Sequence, residues 1–268
     1  MEPASELALK AAVLVEGLRM DESAMEEVGA YYHEDISAVF GYYIERVGPS
    51  IVFPADFKLP GGTVVKVCYN SRSPYLARKE DGELLLEKNG RPLSPIGWVE
   101  RPRYYERTTF DGVPMSRIAP IRGECAIRIC NTVACINWRD GLQCRYCNMN
   151  AAQQIRPGTV ELRKTPRQFG EVASAALEEG IHFHTVLSGG FLPGNRTEDD
   201  FVAILRAIRE HTGLQGSLPA MVNLRAPLDL SQIDRLHEAG ASCIALDLEV
   251  WHPAMFPAIC PGKARRVG

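Results

Sequence analysis

The sequence predicts an α/β fold: about four βα units over residues 116–268, preceded by a small α+β extension over residues 1–115. Three observations carry this. After residue 120, strand-like apolar runs alternate with amphipathic helical stretches that end in glycine. The strands are separated by helix-length crossovers, as parallel pairing requires. Before residue 120 the pattern is mixed, and 268 residues are enough for two ordinary domains.

In chain order, Leu7, Ala11, Val15 and Leu18 recur at helical spacing and predict a helix over 5–20, with a second over 34–46. Thr63–Tyr69 reads as a strand by its β-branched content. Glu83–Lys88 followed by Asn89-Gly90 reads as a hairpin. Residues 91–120 are rich in Pro and Arg and show no periodicity. Ala126–Ile129 is a short strand leading into a cysteine-rich loop. Thr165-Pro166 opens a helix with the stripe Phe169, Val172, Ala173, Ala176 and Leu177, which Gly180 ends. His182–Leu187 is the second strand, followed by Ser188-Gly189-Gly190. Thr197 is expected to cap the next helix, whose buried face is Phe201, Ile204, Leu205 and Ile208 and whose stop is Gly213. Ala220–Leu224 is the third strand. Leu230, Ile233 and Leu236 mark a helix closed by Gly240, and Ser242–Val250 is the fourth strand. Two architectures accommodate this pattern, an open doubly wound sheet or part of a (β/α) barrel. In both, ligands sit at the carboxyl ends of the strands.

A formal charge of −3 and a pI near 6.1 argue against a nucleic-acid or anionic-membrane partner. No apolar run approaches the length of a membrane span, and Lys10 and Glu16 interrupt the N-terminal apolar stretch, so a cytoplasmic protein is expected. Five of the eight cysteines, Cys125, Cys130, Cys135, Cys144 and Cys147, fall within 23 residues. Clustered thiols without a secretory signal read as metal ligands rather than disulfides. The scattered Cys68, Cys243 and Cys260 read as small buried apolar residues.

Cys144-Arg-Tyr-Cys147 is a C-x-x-C pair, a spacing that lets two thiolates meet one metal centre. With Tyr146 before the last cysteine, on a loop that follows the first strand, the segment resembles the radical S-adenosylmethionine superfamily, whose usual signature is C-x-x-x-C-x-aromatic-C. The position four residues before Cys144 is Asp140 in this chain. For the third cysteine that the resemblance implies, Cys135, giving C-x8-C-x2-C, is preferred to Cys130, which would give C-x13-C-x2-C and abuts the strand end. Ser188-Gly189-Gly190 is similar to the family's Gly-Gly-Glu segment, with Phe191 in place of the acidic residue.

The resemblance covers roughly residues 115–268 and implies a partial radical-SAM-type (β/α) barrel. It implies a [4Fe–4S] cluster on Cys135, Cys144 and Cys147, and S-adenosylmethionine held by Tyr146, Ser188, Gly189, Gly190, Asn223, Arg225 and Glu249. Tyr146 would lie near the adenine, the glycine segment would meet the methionine amino group, and Asn223 or Arg225 would meet ribose or carboxylate. The implied activity is generation of a 5′-deoxyadenosyl radical that abstracts hydrogen from a small-molecule or peptide substrate. The implied partner is an electron donor such as a flavodoxin or ferredoxin. A full family barrel has six βα units. Four are counted here, so the chain is expected to be the N-terminal portion of a longer protein or to be completed by another chain. Read from the residues alone, a zinc- or cluster-binding module without catalysis and a nucleotide-binding α/β protein stay open. His182 and His184 share a strand face and read as surface or packing histidines, and Lys263-Ala-Arg-Arg266 as a solvated end.

Overall fold

A computed structural model of the chain describes residues 3–25, 54–147, 163–227 and 229–267. The helix expected over 34–46 lies outside these residues. Two compact units form. The first takes the described residues up to Arg101 together with Ile121–Glu124, and the second takes Pro102–Pro120 and Cys125–Gly268.

The first unit begins with α1 (Pro3–Glu16), β1 (Arg19–Met20) and α2 (Glu22–Met25). It continues with β2 (Asp56–Lys58), β3 (Val64–Lys66), β4 (Tyr75–Glu80), β5 (Glu83–Lys88), β6 (Arg91–Pro95) and β7 (Gly97–Trp98), and regains β8 (Ile121–Arg122). One sheet has the order β1-β4-β5-β6, the other β3-β2-β7. The Asn89-Gly90 hairpin forms as the sequence predicts: both residues have positive φ, 51° and 77°, the pair of left-handed conformations that matches strand twist. The face of α1 differs from the expected one. Leu7 and Val15 are exposed, and Val13 is buried with Leu9 and Ala12 packed beside it. Glu6 also turns inward, because its carboxylate accepts the Gly61 N–H at 2.7 Å. An apolar stripe was the wrong guide here, since a satisfied carboxylate occupies the buried side.

In the second unit a 3₁₀ turn (Arg103–Glu106) and α3 (Met115–Ile118) precede the strands and helices that carry the site. These are β9 (Ala126–Cys130), α4 (Ile136–Arg139), α5 (Pro166–Glu178), β10 (His184–Ser188), α6 (Arg196–Thr212), β11 (Ala220–Leu224), α7 (Ser231–Ala239) and β12 (Cys243–Leu246). Two short helices, α8 (Phe256–Ile259) and α9 (Pro261–Val267), follow. Strands β9, β10, β11 and β12 pair in parallel and in chain order. Thr165 and Gln168 make a reciprocal capping box at the start of α5, and Gly213 and Gly240 end α6 and α7 in the left-handed region. The inward faces of α5 (Phe169, Val172, Ala176) and α6 (Phe201, Ile204, Leu205, Ile208) are buried. Thr197 does not cap α6. The helix begins one residue earlier, and the Thr197 hydroxyl instead accepts the Leu192 N–H at 3.0 Å, tying down the loop after β10. No helix among the described residues is long and apolar enough to cross a membrane.

Candidate functional site

The parallel strands end at Cys130, Ser188, Leu224 and Leu246, and the segments leaving those ends face one cavity of about 230 Å³. Every residue that the resemblance gives to the cluster or to the cofactor lines it. Cys135, Cys144, Tyr146 and Cys147 come from the loop after β9. Ser188, Gly189 and Gly190 come from the end of β10. Asn223 and Arg225 come from the end of β11, and Glu249 from the segment after β12. Cys130 does not line the cavity: it ends β9, and its thiol donates to the Thr132 carbonyl at 3.5 Å. His182 and His184 sit at the opposite end of β10, where His184 Nδ1 is 3.9 Å from Cys125 Sγ.

The cysteine loop is seated on the glycine segment. Ser188 O accepts the Asn131 N–H at 3.2 Å, Gly190 donates to Thr132 O at 2.7 Å, and Phe191 O accepts the Ile136 N–H at 2.7 Å. These bonds continue the β9–β10 pairing past the strand ends. The seat also explains the two glycines. A Cβ on Gly189 would lie 2.0 Å from Asn131 Oδ1, and one on Gly190 would lie 1.9 Å from Ala134 O. The close approach that requires glycine is thus made by the chain's own loop.

Within the loop, Cys135 is the N-cap of α4, and its carbonyl accepts the Trp138 and Arg139 N–H groups at 3.1 Å each. Gly141, at φ 68°, turns the chain back. Cys147 N donates to Cys144 O at 3.0 Å, closing a turn, and Trp138 Nε1 donates to Cys147 Sγ at 3.5 Å. Asp140, which stands where the usual signature has a cysteine, points away. It pairs with Arg139 at 2.9 Å and with Arg266, and those two bonds, Arg139 first, hold its carboxyl below the ordinary range. Arg266 also donates to Asn137 Oδ1 at 3.1 Å. The basic run at 263–266 is therefore not a solvated end. Arg266 braces the cysteine loop, and Lys263 lines the cavity and pairs with Glu249.

Glu249 is held in the left-handed region, φ 62°, an uncommon place for a residue with a side chain. Its carboxylate accepts from Tyr146 and from Lys263, so two cavity residues fix it. Burial, then the Glu249 bond, raise the Tyr146 hydroxyl well above its usual range. Burial, then the neighbouring Cys260, push the Cys144 thiol up to about 11.

Sequence reasoning missed Glu198. Its carboxylate reaches Arg225 at 3.4 Å, and both side chains are almost fully buried, at 2% and 6% exposure. Phe191, which stands where an acidic residue was expected, carries the Arg225 guanidinium over its ring at 4.1 Å. The carboxylate at this wall thus arrives from the first turn of α6. An acidic residue in a first turn is an ordinary helix-dipole feature, which is why nothing in the sequence marked it. Burial lowers the Arg225 pKa, with Glu198 opposing. Among the described residues, Glu198 Oε2, Asn223 Oδ1 and Arg225 Nε are buried without a hydrogen-bond partner, and all three residues line the cavity. Buried unpartnered polar atoms are costly, so their convergence marks a place for a polar ligand. Among the described residues, no three His, Cys, Asp or Glu side chains are gathered closely enough to hold a metal ion as they stand.

Two further cysteines depart from expectation. Cys243 is exposed on β12, and Cys260, though fully buried, is not apolar filling, since its thiol donates to Tyr146 Oη at 3.7 Å.

Over 151 residues the chain is 31% identical to the bacteriochlorophyllide c C-7(1)-hydroxylase of Chlorobaculum limnaeum. The similarity covers 52% of this chain, and the chain spans 37% of that enzyme's length. No family model matches, and no solved structure matches. The chain is therefore similar, over about half its length, to an enzyme.

Proposed function

We propose that this chain is a radical S-adenosylmethionine enzyme, in which Cys135, Cys144 and Cys147 hold a [4Fe–4S] cluster at the carboxyl ends of a partial (β/α) barrel. The observation that carries the proposal is that all ten residues assigned to the cluster and the cofactor line a single cavity. The chain-order pairing of β9 to β12 supports the barrel reading, because an open doubly wound sheet reverses its order at a switch point. The donor set supports the cluster. Three thiols come from one loop, Gly141 lets that loop turn back, and Cys144 and Cys147 are a C-x-x-C pair. The thiols must close on one another for loading.

When bound, the cluster and S-adenosylmethionine supply a carbon-centred radical able to take hydrogen from an unactivated C–H bond. The protein's own residues bind and orient. Arg225 Nε and Glu198 Oε2 offer an unused donor and an unused acceptor, suited to the carboxylate and ammonium of a methionyl group. Asn223 Oδ1 offers an acceptor to a ribose hydroxyl. Tyr146, fixed by Glu249, presents an aromatic ring at the rim. The relative's named reaction, a hydroxylation, replaces hydrogen on carbon, and C–H functionalisation is the reaction class proposed here. The cytoplasmic setting and the flavodoxin- or ferredoxin-type electron donor belong to the same proposal.

Anaerobic reconstitution with iron and sulfide is expected to give broad visible iron–sulfur absorption, and dithionite with S-adenosylmethionine to release 5′-deoxyadenosine. Cys144→Ala removes both. Stoichiometric zinc without iron would instead establish a non-catalytic metal module.

A further inference from the structure

Cys144 and Cys260 lie 116 residues apart in the chain but on segments that meet in space. Two backbone bonds bracket them: Arg145 N donates to Ile259 O at 2.9 Å, and Gly262 N donates to Leu142 O at 3.0 Å. These bonds flank both cysteines, one on each side, and hold their two segments together. Cys260 Sγ donates to Tyr146 Oη at 3.7 Å, two residues along the chain from Cys144. Gly262 maintains the approach, since a Cβ there would come within 2.6 Å of Leu142 O and 2.4 Å of Asn137. Cys147 is turned elsewhere, with its sulfur accepting from Trp138. Cys144 lines the cavity, whereas Cys260 has no exposed surface behind it.

We propose that Cys144 and Cys260 form an oxidisable dithiol that low-molecular-weight disulfides join reversibly. Cys144, the reachable partner, attacks the small disulfide. One small thiol leaves, and a mixed disulfide remains on Cys144. The Cys260 thiolate then attacks the Cys144 sulfur, forming the Cys144–Cys260 bond and expelling the second small thiol. Two protein thiols give up two electrons and two protons, and one small disulfide becomes two thiols. The consequence rests on the cluster reading above: the bond occupies a cluster ligand, so an oxidised chain without its cluster is held in a form that cannot be loaded until it is reduced.

The test uses the metal-free full chain, incubated anaerobically with oxidised glutathione, alkylated, digested without reduction and mapped by mass spectrometry. The expected product is a peptide pair joining Cys144 to Cys260, with oxidised protein losing iron uptake and regaining it after dithiothreitol. Cys260→Ser should stop at a glutathione adduct on Cys144. The proposal is overturned if Cys144 is found joined to Cys135 or Cys147. Alkylation of both Cys144 and Cys260 after prolonged exposure would overturn it equally, as would equal loss of iron uptake by wild type and Cys260→Ser after oxidation. If reduced wild type takes up no iron, the cluster reading fails, and the cross-link alone decides the dithiol.

Discussion

Arg225 and Glu198 are the residues on which the chemistry of the cavity wall turns. A buried ion pair is stabilising only when its remaining lone pairs and N–H groups are satisfied, and here one oxygen and one nitrogen have no partner among the described residues. The pair is thus incomplete until a ligand completes it. Removing one member leaves an uncompensated buried charge, which costs about 3–5 kcal/mol. Arg225→Met is therefore expected to lower unfolding stability by that order in chemical denaturation, and Arg225→Met with Glu198→Gln to recover much of the loss. S-Adenosylmethionine is expected to stabilise the wild type against heat and to leave the double variant unshifted. Equal effects of the single and double variants would show that the pair is not coupled. Arg225 was legible as a candidate for the cofactor's carboxylate, but its ion pair was not, because Glu198 looked like any acidic residue in a first helical turn.

At the level of elements, the joint between the cysteine loop and Ser188-Gly189-Gly190 positions the candidate ligands. Gly190→Ala would drive a Cβ to 1.9 Å from the Ala134 carbonyl, a backbone atom that cannot rotate away. Overpacking of this kind costs about 1–3 kcal/mol, and the least costly relief is to lift the loop off its seat. The variant is expected to melt earlier and to lose cluster loading, with the hydrogen-exchange change concentrated at 131–136. A change spread evenly over the sheet would contradict the assigned role. The βα elements themselves were legible, because capping signals, glycine stops and apolar stripes agree locally with the parallel sheet. Two readings failed for reasons outside local pattern. The buried face of α1 is set by Glu6 bonding Gly61, a partner 55 residues away. The basic residues of α9 looked solvated because Asp140 and Glu249, which pair with them, are distant in sequence.

For the molecule as a whole, four parallel strands in chain order bring residues spread from 135 to 263 to one end of one sheet. The sequence placed the candidates on successive strand ends, and topology did the rest. What it could not give was the partner across the cavity. Cys260 bonding Tyr146 beside Cys144, and Glu198 facing Arg225, are contacts between segments that no local pattern couples. The account stands or falls on which cysteines hold metal, and the spacing alone left Cys130 and Cys135 as rivals. Cys135 lines the cavity and Cys130 does not. Iron and acid-labile sulfide measured after anaerobic reconstitution of Cys135→Ala and Cys130→Ala decide between them. The account predicts that Cys135→Ala loses both and Cys130→Ala keeps both, whereas the reverse pattern, or zinc bound in place of iron, would contradict it.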